Sequence, residues 1–457
     1  LAVRMGDARR GHEPGRMNGS RSRVCLSAGG NHLLGAKDPG YLYATLQQPP
    51  TPIRDSIRKD NIMNEKSQVR PTYIVGVDAH SKKLAISIWD GTDPWHPILH
   101  SEIKSCEINA MEKTFERHVP LDSIVIIEAS TNSRMLKIRL DELGFRAEIV
   151  RSDILEKKEK KRKIRDIQDA RNLALAYIKG NIQEFVWMSS DEYDQYKDIH
   201  FAYRDTVKEL TRISNRIWSI CSQKGYKLPI RAGATKATSI REMIKELNIS
   251  GFAKARLEML IKDYEYLYDR REELNRMMAE IVISNDKMLG LMQLPGFYLH
   301  AAFVIQAIIE DPKRFSTASK LAAYSALSPI LNTSGDEEER ARIKGGTGKP
   351  LDTAGRHDLK FYCCEAGQTV LNLAGNTKLG KWGWSMINKG KPKNKVVCAI
   401  GRKLITYAWH IMMGHSAPNR DGEAMFKRKM IRLFSEVGKT RMNELGYKSR
   451  AEFAEIM

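Results

Sequence analysis

Four acidic residues stand where a metal-dependent nuclease would need carboxylates. Asp78 and Glu128 each end a short apolar run. Asp166 and Asp169 lie three positions apart in a helical pattern, so they share one helix face. Four carboxylates at one place would repel one another, and a pair of divalent cations removes that repulsion. The pattern therefore predicts a carboxylate site that holds Mg²⁺ or Mn²⁺.

The elements that must position these carboxylates follow an α/β order. The runs 73–78 and 124–128 are short, continuous and β-branched, as buried central strands are. Further strands are predicted at 83–90, 97–103 and 146–150. Two helices are predicted at 110–118 and 131–143, and Gly144 is the predicted C-cap of the second. Three strands followed by helix, strand, helix, strand and helix are compatible with an RNase H-like (resolvase-like) sheet.

The charge of the chain indicates a polyanionic partner. The formal net charge is +20, and the simplest polyanionic partner for such a chain is nucleic acid. The alternative is that the excess only aids solubility. A basic run directly precedes Asp166, where a phosphate backbone would have to lie. The residues that we predict to bind nucleic acid are Lys82, Lys157, Lys158, Lys160, Lys161, Arg162, Lys163, Lys344 and Lys349.

The remaining composition excludes several classes of protein. No stretch of eighteen apolar residues is present, so no membrane partner is expected. The six cysteines are scattered without a CxxC pair or a histidine cluster, which argues against a zinc site. This usage suits a reducing, cytoplasmic environment.

Residues 186–288 show apolar positions at helical spacing in two stripes. We predict two long antiparallel helices, partly coiled coil, with the basic loop 225–239 between them. In the second stripe Arg271 occupies an otherwise apolar position and is a candidate for setting register. The alternative is an ordinary helical subdomain packed within one chain. A coiled coil would join two subunits.

The chain divides into five predicted segments. An extension at 1–70 is either disordered or translated sequence upstream of a start at Met63. An RNase H-like catalytic domain at 71–185 carries the four carboxylates, and a helical or coiled-coil linker follows at 186–288. A mostly α-helical domain spans 289–415, with helices predicted at 315–324, 359–373 and 396–413, and a helical tail spans 416–457.

The segment 289–415 contains a tight turn at 294–296, which offers backbone N–H groups to a phosphate, and two glycine-containing loops. Ser334 precedes Gly335 in the first loop. The second, 344–350, is not a P-loop because no strand precedes it and the order GxxxxGK[ST] is missing.

Together these segments resemble the DEDD transposases of bacterial insertion sequences, specifically the IS110 family, which are described as bridge-RNA-guided recombinases. The resemblance covers about residues 72–415. The order and spacing of the matching motifs carry more weight than any one of them. The matching pieces are Val75–Lys82, Ile127–Ser130, Asp166–Ala170, Leu294–Gly296, Arg314–Phe315, Leu321–Tyr324 and Ser334–Gly335.

The resemblance implies a fold, a chemistry and a set of partners. Asp78, Glu128, Asp166 and Asp169 would bind magnesium, and Ser334 would be the nucleophile that attacks DNA. A guide RNA would pair with donor and target DNA, and a homo-oligomer, dimer or tetramer, would form the synapse. Target sequence is then carried by RNA pairing and not by the protein.

The chain departs from the family pattern near Ser334. Tyr298 and Ala326 stand where the family usually has glycine, and the acidic run 336–339 replaces basic residues. Two other functions therefore stay open: a catalytically inactive nucleic-acid-binding descendant, and an actin-like phosphotransferase, which also opens with a strand of the form Val-Gly-Val-Asp.

Overall fold

A computed structural model of the protein describes residues 72–79, 83–93, 95–103, 108–151, 166–182, 184–229, 235–328, 355–416 and 422–456. The described chain divides into two compact units. The first comprises the residues up to Ile127, Arg139–Ala147, and 166–181. The second comprises Glu128–Ile138, 148–151, and the residues from Ile182 onward.

Five strands form one mixed sheet in the order β3-β2-β1-β4-β5. β1 pairs antiparallel with β2 and parallel with β4, and β2 pairs antiparallel with β3. The apolar runs of β1, β2 and β4 are almost wholly buried, as expected of central strands. The strands are β1 (Tyr73–Ala79), β2 (Leu84–Asp90), β3 (Pro97–Ile103), β4 (Ser123–Glu128) and β5 (Arg146–Val150).

Three helices belong to this α/β part: α1 (Ile108–His118), α2 (Ser133–Glu142) and α3 (Asp166–Ile178). After α2, Gly144 has a φ of +90°, and the amide of Phe145 donates to the carbonyl of Leu140 over 2.9 Å. This is the predicted glycine C-cap. The α/β order expected from the sequence is confirmed at the level of these elements.

The second unit begins with three helices that share a core. They are α4 (Asp191–Gln223), α5 (Ala237–Lys245) and α6 (Gly251–Ile283). Leu210, Ile217, Leu257 and Tyr264 of the two predicted stripes are fully buried in this core, and Ile240 of α5 joins them. The two long helices are therefore confirmed, and they bury their stripes against each other and against α5 within one chain.

The C-terminal helices surround one almost entirely apolar helix. Each residue from Ala301 to Ile309 is buried, as expected of a helix that is hydrophobic on all sides. These helices are α7 (Asp286–Leu291), α8 (Leu299–Ile309), α9 (Ala318–Tyr324), α10 (His357–Leu373), α11 (Lys378–Asn388), α12 (Lys393–Met412), α13 (Glu423–Val437), α14 (Lys439–Glu444) and α15 (Arg450–Ile456), with a 3₁₀ turn at Pro312–Arg314.

Two details differ from the sequence-based expectation. The predicted helix at 315–324 begins only at Ala318, because the side chain of Thr317 accepts the amide of Lys320 as an N-cap. The predicted basic loop before α6 contains part of α5. Among the described helices, none is long and apolar enough to cross a membrane.

Candidate functional site

The end of β1 carries the first of the predicted carboxylates. Asp78 is 5 % exposed, although it follows the wholly apolar run of its strand. Val77 pairs with Ile127 across the parallel strands β1 and β4, and Asp78 and Glu128 are the next residues of these two strands. A carboxylate this deeply buried requires compensation by hydrogen bonds or positive charge.

Close packing of α3 on β1 is made possible by Gly76. A Cβ atom at this position would lie 1.9 Å from the carbonyl oxygen of Ala170. Asp78 is two residues after Gly76 and therefore faces the same side of the strand. Asp169 adjoins Ala170 in sequence, and position 166 lies one helical turn earlier. The face of β1 that carries Asp78 is thus the face that α3 covers.

The described side chains do not include all four of the predicted carboxylates, Asp78, Glu128, Asp166 and Asp169. Among the side chains that it describes, no three His, Cys, Asp or Glu groups are close enough to hold a metal ion. The side chain of Asp166 lies outside the described atoms, so the quartet as a set is not tested. The ligand type fits the expected metal, because Mg²⁺ and Mn²⁺ prefer carboxylate oxygens.

Several predicted residues lie outside the described part of the chain. Ser334 is the most important of them, since it is the expected nucleophile. The others are the nucleic-acid-binding candidates Lys82, Lys157, Lys158, Lys160, Lys161, Arg162, Lys163, Lys344 and Lys349.

The two described ends that flank residues 329–354 are held together. The amide of Arg356 donates to the carbonyl of Tyr324 over 2.7 Å. Gly355 has a φ of +117°, and a Cβ atom there would lie 2.6 Å from the same carbonyl oxygen. Ala326, which stands where the family has glycine, has a φ of +52°. A Cβ atom is strained in this left-handed conformation, so the position would favour glycine.

The turn before α8 has a packing role that the sequence pattern did not indicate. Gly296 has a φ of +80°, and a Cβ atom there would lie 2.4 Å from the carbonyl oxygen of Ala366 in α10. The ammonium group of Lys429 donates to the carbonyls of Met292 and Leu294 over 2.8 Å each. Tyr298 has an extended backbone, with a φ of −141°, which residues with a side chain adopt without strain.

The structure also contains a cavity that the sequence pattern did not indicate. It has a volume of about 640 Å³ and lies between α4, α10 and the turn before α8. Its polar wall includes His200, Arg204 and Lys208, spaced four residues apart on one face of α4. That spacing of basic residues was the available sequence signal, but the facing wall on α10 could not be identified without the tertiary contact.

The tryptophans of α11 take part mainly in packing. The Lys403 ammonium lies 4.7 Å from the centre of the Trp382 ring, and Trp384 donates its indole N–H to the carbonyl of Leu371 over 3.1 Å.

The comparisons with known proteins identify part of the second unit. Residues 289–351 match the family model described as "Transposase IS116/IS110/IS902 family". The matched range contains the turn before α8, helices α8 and α9, and Ser334. No curated protein matches the chain significantly. The family match supports a transposase or recombinase function, and it implies that the protein binds DNA.

Proposed function

We propose that this chain is a DNA transposase or site-specific recombinase of a bacterial insertion sequence. The observation that carries the proposal is the match of residues 289–351 to the IS110-type transposase family, because this range includes Ser334. The strongly basic composition supports a nucleic-acid substrate independently of that match.

The N-terminal part is proposed to be an RNase H-like catalytic domain. A central strand that pairs antiparallel on one side and parallel on the other, in the order β3-β2-β1-β4-β5, supports this assignment. The buried Asp78 at the end of that central strand is consistent with a catalytic carboxylate, because a strand without a functional role at its end would favour an apolar or exposed residue there.

Asp78, Glu128, Asp166 and Asp169 would hold Mg²⁺ or Mn²⁺. A divalent cation at such a site supplies electrostatic stabilisation of the charge that develops on the reacting phosphate. The contribution of the protein is to keep Asp78 buried and oriented at the end of a rigid strand, and to place α3 against it through the contact of Gly76 with Ala170.

Ser334 would act as the nucleophile. Its Oγ atom loses its proton and forms a bond to a DNA phosphorus, the bond from that phosphorus to the leaving strand breaks, and the leaving oxygen gains a proton. The reverse reaction with a different strand end rejoins DNA. Because the phosphoserine link conserves one phosphoester bond, no ATP is required. Lys344 and Lys349 would offset the negative charge near this serine.

The remaining elements of the proposal concern partners. The basic run 157–163 would contact the phosphate backbone. A guide RNA would supply sequence recognition, and a homo-oligomer, dimer or tetramer, would form the synapse. These assignments follow from the resemblance and from the basic charge.

The nucleophile is tested by the protein–DNA adduct on a denaturing gel. Ser334→Ala should abolish the adduct, whereas Ser316→Ala, at an exposed serine of the same family segment, should retain it. Ser325 is a poor alternative nucleophile, because it is fully buried and its hydroxyl donates to the carbonyl of Leu321 over 2.8 Å. An adduct that persists in Ser334→Ala would move the nucleophile to Ser328 or Thr333.

The carboxylate site is tested by a matched pair of strand-end variants. Asp78→Asn should abolish strand transfer and reduce the calorimetric heat of Mn²⁺ binding. Asp90→Asn changes an aspartate at the opposite end of the same pair of strands, where Asp90 faces Tyr73, and should leave both unchanged. Strand transfer that survives Asp78→Asn would exclude this metal site. A protein that binds DNA but never transfers strands would be the inactive descendant.

A further inference from the structure

The cavity between α4 and α10 is a candidate site that the proposed chemistry does not use. Its volume of about 640 Å³ lies within the range of small-molecule sites. The aromatic residues of its wall include Tyr203, Phe361 and Tyr362, and the charged ones include Arg204 and Asp358. Aromatic surface next to cations is the combination that binds unstacked nucleotides.

Two helices form the opposing walls of this cavity. On α4, His200, Arg204 and Lys208 lie along one face because they are four residues apart. On α10, Asp358 and Glu365 face the same space. The guanidinium of Arg204 lies 3.3 Å from a carboxylate oxygen of Asp358. This ion pair ties the walls together and fixes the width of the cavity at one end.

His200 is a buried polar side chain without a hydrogen-bond partner. The residue is 1 % exposed, and neither ring nitrogen makes a hydrogen bond. Its Nε2 atom is 3.7 Å from Asp358, which is too long for one. Burial lowers the pKa of His200, so the ring is neutral near pH 7 and offers one donor and one acceptor. A ligand edge that carries both kinds of group would satisfy it.

The rim of the cavity offers aromatic surface to a planar ligand. Phe361 is 58 % exposed although it is a large apolar residue. Its ring contacts that of Tyr362 edge to face at 5.2 Å, and Tyr362 contacts the His200 ring at 5.7 Å. Stacking on such a ring is tolerant of base identity, because every base has a π face.

The distribution of charge separates a base end from a phosphate end. Lys208 is exposed and lies one turn beyond Arg204 on α4, so it can reach a phosphate at the mouth. The carboxylates of Asp358 and Glu365 would repel a phosphate on the α10 side. They can instead accept hydrogen bonds from the exocyclic amino groups of a base.

The cavity also lies next to the flanks of the segment that contains Ser334. His357 and Asp358 line it, and they directly follow Arg356, whose amide donates to the carbonyl of Tyr324. Strand exchange leaves nucleotides unpaired close to the reacting phosphate. A site that holds one of these nucleotides would limit reversal of the first cleavage step.

We propose that this cavity binds one unpaired nucleotide of a DNA strand, with its base stacked on Phe361 and its edge on His200, and with its phosphate at Lys208 at the mouth. The proposal rests on the proposed function for the choice of DNA as the polymer. The residues that line the cavity would indicate an unpaired nucleotide even without that function.

The test measures single-stranded DNA binding by the full chain. The Ser334→Ala protein is used with EDTA, so that neither cleavage nor metal binding affects the result. A short single-stranded oligonucleotide carries one 2-aminopurine, whose fluorescence reports stacking. In this background Phe361→Ala should weaken binding on the order of tenfold and reverse the change in fluorescence. Lys208→Ala should weaken binding. It should also reduce the slope of the logarithm of the binding constant against the logarithm of salt concentration by about one.

Matched controls separate the cavity from general surface effects. Leu373→Ala removes an apolar side chain that is 76 % exposed on the same helix as Phe361. Lys224→Ala removes an exposed charge at the end of α4, away from the cavity. Both should change binding less than about twofold, as expected of surface positions outside an interface core.

Three outcomes would overturn the proposal. The first is equal binding of the oligonucleotide by Phe361→Ala and Leu373→Ala. The second is a change in 2-aminopurine fluorescence that is as large in Phe361→Ala as it is with the intact cavity. The third is cavity-dependent binding that prefers an RNA oligonucleotide of the same sequence. A failure of the proposed function would appear differently, as a lack of adduct in the wild-type chain on duplex DNA with Mg²⁺ present, while cavity-dependent binding of single strands persists.

Discussion

The amide of Arg356 donates to the carbonyl of Tyr324 over 2.7 Å, and this hydrogen bond joins the two sides of the chain that flank residues 329–354. The proposed nucleophile lies within that interval, so the position of its two ends is fixed by α9 and α10. Gly355 allows the approach, because only a residue without Cβ can combine its φ of +117° with contact to the Tyr324 carbonyl.

We therefore expect Gly355→Ala to destabilise the C-terminal helices. The new Cβ atom would be 2.6 Å from the carbonyl oxygen of Tyr324, and the left-handed backbone adds strain. Together these cost about 2–4 kcal/mol, which lowers the thermal unfolding midpoint. Gly390→Ala is the control, since Gly390 also has a positive φ but has open space around its Cβ position. Equal midpoints for the two variants would contradict the packing argument.

A second prediction concerns the contact between β1 and α3. In Gly76→Ala the added methyl would lie 1.9 Å from the backbone oxygen of Ala170, and a backbone atom cannot move aside as a flexible side chain can. We expect a loss of about 3 kcal/mol or more, measured by urea denaturation, and a loss of strand transfer although no carboxylate has changed. Gly422→Ala adds a methyl into open space at the N-cap of α13 and should cost only about 1 kcal/mol or less. A stable and active Gly76→Ala protein would show that α3 does not have to pack this closely.

The sheet could be predicted from sequence because its signals are local. Continuous β-branched runs ending at Asp78 and Glu128 gave the two central parallel strands, and Gly144 marked the end of a helix. The stripes on α4 and α6 were equally clear, since their periodicity covers many turns. The element that packs on these stripes could not be predicted, because periodicity shows which face of a helix is buried and not what covers it.

The cavity and the backbone strain could not be predicted in this way. His200 and Asp358 are distant in sequence and meet only because α4 packs beside α10. Ala326 was noted as a departure from a glycine, but its φ of +52° depends on how α9 ends against the chain around Gly355. Such features arise from tertiary contacts, which a single sequence does not reveal.

A third prediction concerns the dependence of stability on pH. Burial, with a smaller contribution from Arg432, lowers the pKa of His300 to about 4. The unfolded chain binds this proton near pH 6.5, whereas the folded chain does not until near pH 4. His300 therefore contributes stability that is fully present above pH 6.5 and is lost as the pH falls towards 4. Between pH 7.5 and 5 we expect a loss of about 2 kcal/mol from this group.

The measurement is the free energy of unfolding in urea at these two pH values. His300→Gln retains a polar partner for Asn275, which lies 2.8 Å from the His300 ring, and should remove most of this pH dependence. His415→Gln changes an exposed histidine and should leave the pH dependence as in the wild type. An unchanged pH dependence in His300→Gln would show that folding does not lower the pKa of His300.

A fourth prediction concerns the thiols of α10 and α12. The sulfur atoms of Cys364 and Cys398 are 3.8 Å apart. Hydrogen bonding with Cys364 lowers the pKa of Cys398, so Cys398 forms the reactive thiolate at a lower pH than an ordinary thiol does. Iodoacetamide should therefore alkylate Cys398 with a midpoint below that of an ordinary thiol, which is about pH 8.5, as read by peptide mass spectrometry. Cys221, whose pKa is raised by burial, should react far more slowly.

Two substitutions at the donor position separate the hydrogen bond from the general environment of Cys398. Cys364→Ala removes the donor and should move the alkylation midpoint of Cys398 towards the ordinary thiol value, near pH 8.5. Cys364→Ser replaces the thiol with a hydroxyl that can still donate, so the midpoint should stay well below that value. If both variants kept the wild-type midpoint, the low pKa would have to come from a charge such as Lys360 and not from the neighbouring thiol.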